Sequence, residues 1–147
     1  MRGGYRRLMG MTDDELRERF TRAPVLRLGT ADRSGKPHLV PATFAVAGDV
    51  VAIAVDHKPK QHTNLKRLRN IQENPAVSLL VDHFDADWDR LWWVRADGQA
   101  RVLENELAQA LVDELVDKYE QYKQHRPAGP VIEIRVNRWS GWAGKSE

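Results

Sequence analysis

The sequence predicts an α+β domain, a small antiparallel barrel of six short strands with helices packed outside it. Three observations carry this. The early strand-like runs are joined by turns too tight for a helical crossover, so those strands are antiparallel. The element order is β-β-β-α-β-β-α-β after a leading helix, with no repeated βαβ unit. Many short strands with hairpin links are the pattern of a barrel. At 147 residues the chain has the length of one domain and can bury a sizeable core.

Each element has its own signal. Residues 1–11, "MRGGYRRLMGM", are basic with no apolar region behind them and read as a loose leader, not a secretion signal. The domain is expected over 12–147. "TDDE" at 12–15 is a capping box, in which Thr12 accepts from a helix amide while Glu15 reaches back. Leu16 and Phe20 share one face of the short helix that follows, and Pro24 ends it. "VLRLGTA" (25–31) alternates as a strand, and "DRSGKP" (32–37) has turn composition. "HLVPATFAV" (38–46) is the second strand, bulged or at an edge where Pro41 removes a ladder donor. "VVAIAV" (50–55) is short and apolar enough for a buried strand. Thr63 or Asn64 can cap a helix carrying Leu65, Leu68 and Ile71 or Gln72, which "ENP" (73–75) stops. "AVSLLVD" (76–82) is the fourth strand, and an acidic loop leads to "RLWWVRADGQARVL" (90–103), a long strand or a hairpin around Asp97-Gly98. Leu107, Leu111, Leu115 and Tyr119 recur every four residues in a helix over about 105–123. "VIEIRV" (131–136) is the last strand, and "NRWSGWAGKSE" reads as a tail.

Composition excludes several classes of function. An apolar fraction of 41% and a charged fraction of 30% fit a folded soluble protein. With no cysteine there is no disulfide, thiolate metal site or cysteine nucleophile, which fits a reducing cytoplasm. The longest apolar run is far shorter than the roughly 20 residues of a membrane span. Net charge is only +2, from 23 basic and 21 acidic residues, low for a general nucleic-acid binder. The five histidines form no H-x-x-x-H or H-E-x-x-H pair, and the acidic loop lacks the calcium-loop pattern, so no metal site is expected. No G-x-S-x-G, P-loop or G-x-G-x-x-G motif occurs.

The positive charge that exists is concentrated. "KPKQHTNLKRLRN" (58–70) holds Lys58, Lys60, Lys66, Arg67 and Arg69, with His62 among them. The segment is either a solvated helix face or a clamp for phosphate or carboxylate, built from charge-assisted bonds and the open amides at a helix start. "GKPHLVPATF" is either an ordinary edge strand or an open stretch of backbone. In the second case Pro41, Ala42 and Thr43 let a flat ring approach the chain. Trp92 and Trp93 lie on opposite faces of one strand, one for the core and the other for a cofactor or a subunit interface.

"LGTADRSGKPHLVPATF", "VDHKPKQHTNLKRLRNIQENPAVSLLVD" and "RLWWVRADGQARVL", in that order, resemble the pyridoxamine 5′-phosphate oxidase-like split-barrel family. They resemble most its actinobacterial branch of coenzyme F420-dependent oxidoreductases. The resemblance covers residues 12–142 and implies a six-stranded antiparallel split barrel of the FMN-binding type. It also implies a homodimer with two cofactor sites at the interface. It places the cofactor ring along Pro41, Ala42 and Thr43 and its phosphate on Lys66 and Arg67 of "KRLRNI". Asp56, His57, Lys58 and Lys60 fill the preceding loop of the same site, and Trp92 or Trp93 approaches from the partner subunit, with Trp93 the candidate. Five cations along one loop and helix suit the long polyanion of F420 better than the single phosphate of FMN, the alternative cofactor. The implied function is a reductase that passes hydride from reduced deazaflavin to an unsaturated small molecule. An FMN-binding oxidoreductase and a non-catalytic F420 carrier are the alternatives. The ending "RVNRWSGWAGKSE" departs from the R-L-x-P ending of true pyridoxamine phosphate oxidases, which speaks against vitamin B6 oxidation.

Overall fold

The structure, a computed structural model, describes residues 11–55 and 62–145. The capping box forms as the sequence predicts: the Glu15 amide donates to Thr12 Oγ1 (3.1 Å) and the Thr12 amide to Glu15 Oε1 (2.8 Å). Helix α1, Asp13–Arg22, follows it. Strands β1 (Leu26–Ala31), β2 (Pro37–Ala42), β3 (Ala45–Ala47) and β4 (Val50–Ala54) come next. Helix α2 (His62–Glu73) leads to β5 (Ala76–His83), a short 3-10 turn (Trp88–Arg90) and β6 (Trp92–Leu103). Helices α3 (Glu106–Lys118) and α4 (Glu120–Gln124) precede the last strand, β7 (Val131–Ala143).

Seven strands among the described residues form one antiparallel sheet in the order β2-β1-β5-β6-β7-β4-β3. The fold is the antiparallel split barrel with flanking helices, carrying seven strands where six were expected. The extra strand arises because the expected strand 38–46 breaks at Thr43-Phe44. There Phe44 turns fully into the core, edge-to-face with Phe20 at 5.2 Å. The two strands flanking this break, β2 and β3, are the two edges of the sheet. A link of two residues therefore ties edge to edge and forces the sheet to curl.

Two more expectations change, and one open alternative is decided. "NRWSGWA" is not a tail but the second half of β7, paired with β6 from Trp92↔Ala143 to Asp97↔Arg138. A bulge explains the misreading. Asp97 pairs with Arg138 and Gly98 with Val136, so Asn137 is skipped and the inward set moves from Ile132 and Ile134 to Trp139 and Ala143. Of the two readings of 90–103, a long strand or a hairpin, the structure has the strand, over Trp92–Leu103, because Asp97-Gly98 lies opposite this bulge and makes no turn. The helix expected over 105–123 is broken at Tyr119, which is extended (φ −118°, ψ 126°). Its buried face is Ala108, Val112 and Leu115, while Leu107 is exposed.

Two apolar clusters result. The larger fills the inside of the curled sheet with Leu26, Leu28, Leu79, Val94, Ile132 and Ile134, closed by Leu16 and Phe20 of α1 and Ile71 of α2. Met11, placed in the leader by sequence, packs here too. The second lies on the outer face, where Ala108, Val112 and Leu115 of α3 cover Ala45, Ala52, Leu103 and Val131. Directly paired residues share a face, so among the described residues the rest of the outer face, on β2, β1, β5 and the start of β6, has no helix over it.

Gly141 lets α1 pack closely on the sheet. A Cβ there would collide with Leu16 Cδ2 of α1 and sit 2.7 Å from the Trp93 carbonyl oxygen. Gly141→Ala should therefore cost about 1–3 kcal/mol through overpacking, read as a lower midpoint in urea unfolding.

Candidate functional site

Helix α2 carries Lys66, Arg67 and Arg69 of the basic cluster and packs against β1 and β6. Its apolar stripe, Leu68 and Ile71, faces the core. Asn70 is buried and donates to Thr30 Oγ1 (3.1 Å), and Glu73 Oε1 accepts from the Arg33 amide (3.0 Å) in the β1–β2 turn. These two bonds fix α2 against the turn end of the β1–β2 hairpin. Lys66 and Arg67 are half-buried and Arg69 is exposed. Partial burial lowers the Arg67 pKa, yet a guanidinium stays charged at neutral pH. In the turn, Asp32 accepts from the Ser34 hydroxyl (2.7 Å), the Ser34 amide (2.9 Å) and the Lys36 amide (3.0 Å). These bonds, chiefly those from Ser34 and Lys36, hold its carboxyl below the usual range, and the Lys66 ammonium adds to the effect.

The proposed ring-binding stretch lies at the opposite end of the same hairpin. Pro37 pairs with Ala31 beside the turn, and Pro41 pairs with Arg27 four residues on. At about 3.3 Å per residue, that is a span of roughly 13 Å. Pro41 is exposed on the outer face; Ala42 points inward and packs against the core, so only its backbone is open to a ligand. The Thr43 hydroxyl is hydrogen-bonded to Tyr122 Oη (2.8 Å). Next to it, Tyr119 Oη accepts from the Phe44 amide (3.1 Å) and lies 3.0 Å from the Phe44 carbonyl and 2.9 Å from the Pro24 carbonyl. Lys118 Nζ donates to the Thr21 (3.0 Å) and Ala23 (2.8 Å) carbonyls at the end of α1 and sits 3.7 Å above the Phe44 ring.

Trp92 and Trp93 separate as alternation requires. Trp92 packs against the core, with the His83 ring stacked at 6.0 Å and the Arg19 guanidinium at 5.3 Å. Trp93 points to the uncovered outer face. There it lines a groove of about 480 Å³ with Gly29, Leu39, Leu80, Arg27, Arg95 and Asp82. Leu39 is 70% exposed and gives the groove an apolar rim.

The sequence profile named Pyridoxamine 5′-phosphate oxidase matches residues 12–143. The chain belongs to the pyridoxamine 5′-phosphate oxidase family. This family includes oxidoreductases. The curated proteins contain no match to the chain. Among solved structures, a conserved hypothetical protein of Mycobacterium tuberculosis is 22% identical, with a TM-score of 0.70 over 92% of this chain and 87% of that one. An FAD-binding protein of Mesorhizobium loti is 20% identical, with a TM-score of 0.68 over 89% and 94%. The heme storage protein of Vibrio cholerae is 16% identical, with a TM-score of 0.65 over 89% and 93%. At these identities the likeness establishes the split-barrel fold.

Of the expected family site, Lys66 and Arg67 lie on α2 at the turn end of the β1–β2 hairpin, Pro41 lies at its other end with Thr43 just beyond, and Trp93 lies on the outer face that Pro41 also takes. Asp56, His57, Lys58 and Lys60 lie outside the described residues. Among the described residues no group of acidic or histidine side chains could hold a metal, and no helix is long and apolar enough to cross a membrane. Spacing gives Tyr119 only as part of a helix face and gives no signal for Tyr122 or Lys118, whose partners are far away in the chain. Nor does it single out His38, whose position opposite Thr30 puts it on the same face as Asn70. Its Nδ1 is buried and has no hydrogen-bond partner among the described residues.

Burial pulls the Lys118 pKa down to about 8. A neutral amine still has N–H groups for both carbonyls. Because the folded value lies below the unfolded one of about 10.4, the ammonium opposes folding below both, and stability rises as pH climbs through about 8. Burial raises the Tyr119 pKa, so its opposing contribution begins only above the ordinary tyrosine range near 10. The urea midpoint of the protein should therefore increase on going from neutral pH to about 9, and Lys118→Met should remove that increase.

Proposed function

We propose that this chain is a cytoplasmic, homodimeric oxidoreductase that binds coenzyme F420 and reduces an electron-poor, unsaturated small molecule. The observation that carries the reading is a half-buried cation pair, Lys66 and Arg67, on a helix bonded to the turn end of the β1–β2 hairpin, with the small-residue stretch Pro41–Thr43 at the hairpin's other end. A coenzyme with a flat ring at one end and anionic groups beyond it needs that arrangement.

The residues present fit such a group. Lys66 and Arg67 are partly withdrawn from water, where charge-assisted bonds to phosphate are screened less than at an open surface. Thr43 supplies a hydroxyl and the adjoining backbone supplies polar groups beside a ring. When bound, the reduced coenzyme supplies hydride from its deazaflavin; the protein orients the ring, holds its anionic tail and excludes water. FMN is the second reading, favoured by the family's name and by the FAD-binding protein among its structural neighbours.

The uncovered outer groove supports the dimer. Leu39, Leu80 and Trp93 are apolar, while Arg27, Arg95 and Asp82 contribute both signs of charge, as a self-complementary two-fold contact requires. Such a contact would also deliver Trp93 to the partner's ring.

Fluorescence titration with F420 beside FMN tests the cofactor assignment. Lys66→Ala and Arg67→Ala should each weaken F420 binding about tenfold or more, for charge-assisted bonds of about 1.5–3 kcal/mol. Unchanged affinity would remove the clamp. Tighter binding of FMN than of F420 would move the protein to the flavin reading, and tight F420 binding without turnover would make it a carrier. Sedimentation velocity should give a dimer for the wild type and a monomer for Leu39→Glu.

A further inference from the structure

Thr43 Oγ1 has one hydrogen to donate and lone pairs to accept with, and Tyr122 Oη lies 2.8 Å away. The phenol is the more acidic of the two hydroxyls and the better donor. With Tyr122 donating, the Thr43 proton is left over for another acceptor. Tyr119 secures the neighbouring residue: its hydroxyl accepts from the Phe44 amide and has carbonyls of Phe44 and Pro24 in reach for its own proton. The two rings pack edge-to-face at 5.5 Å, so neither phenol moves alone. Both reach the β2–β3 link only because the helix breaks at Tyr119, the extended residue between α3 and α4. An unbroken helix would leave the link without these partners.

We infer that Tyr122 and Tyr119 are positioning residues: they fix the Thr43-Phe44 link and turn the Thr43 hydroxyl into a hydrogen-bond donor for an acceptor atom on the edge of the bound ring. The inference rests on the ring position proposed above and adds the polarity of its recognition. The atom that meets Thr43 is a ring carbonyl oxygen or an unprotonated ring nitrogen, not an N–H.

The test is a double-mutant cycle on the full-length protein with Tyr122→Phe and Thr43→Val. Binding and the absorption spectrum of the bound ring are followed for F420 and for FMN. Tyr122→Phe should weaken binding about fivefold to tenfold, the worth of one hydrogen bond, and shift the bound absorption band. Thr43→Val should do the same, the double variant should bind no worse than Thr43→Val alone, and Thr43→Ser should restore both readouts. Wild-type affinity and spectrum in Tyr122→Phe, or two losses that multiply independently, would overturn the inference while leaving the cofactor assignment standing. If the wild type binds neither F420 nor FMN, the proposed function falls with the donor role. The positioning of the link is then decided in the free protein. Tyr119→Phe and Tyr122→Phe should speed amide hydrogen exchange at Phe44 and Ala45 at least tenfold more than at the β6–β7 ladder, and unchanged exchange overturns it.

Discussion

Everything in this molecule depends on a constraint at Thr43-Phe44. Two strands that are neighbours in the chain occupy opposite edges of one sheet, so the sheet must bend until those edges meet. Two residues span the gap, and such a link cannot pair its own backbone within a ladder. A buried polar backbone group without a partner costs about as much as a lost hydrogen bond, and here the Tyr119 hydroxyl answers the Phe44 amide. The Phe44 ring in turn locks the closure by packing against Phe20, which also meets Trp139 at 5.1 Å. Closure and core packing are thus one event, shared by α1, the link and β7.

The long β6–β7 ladder is the rigid side opposite this closure. Its bulge at Asp97/Gly98 lets two strands of 12 and 13 residues follow the curl while keeping apolar side chains inward on both sides of the irregularity. Gly98 is required there because a Cβ would collide with the Arg135 carbonyl. Ionic contacts on the outer face are secondary. The bond from Arg101 to Glu133 (2.6 Å) has a buried carboxylate that would be costly to leave alone, but exposed pairs such as Arg126–Asp113 contribute about 0–1 kcal/mol.

The curl also separates the surfaces available for function. The inner face is used up by the core and by α2 at the turn end of the first hairpin. Among the described residues, α3 covers half of the outer face and no helix covers the other half. Cations therefore collect at one place, apolar side chains at another, and the hairpin β1–β2 has one end near the first and one face in the second.

The local sequence alone determined a good deal. The capping box, most strand positions, the apolar stripe of α2 and the opposite facing of Trp92 and Trp93 follow from spacing, because each depends on neighbours within a few residues. Motif order also carried the family. What only the tertiary structure decided involves partners far apart in the chain. Thr43 and Tyr122 are 79 residues apart, and no periodicity could show that Tyr119 would leave its helix to serve Phe44. Nor could alternation survive a skipped residue at Asn137, so half of β7 was hidden until β6 was laid beside it. Spacing records which face a side chain takes on its own element. Which element that face meets is fixed by the closing of the sheet.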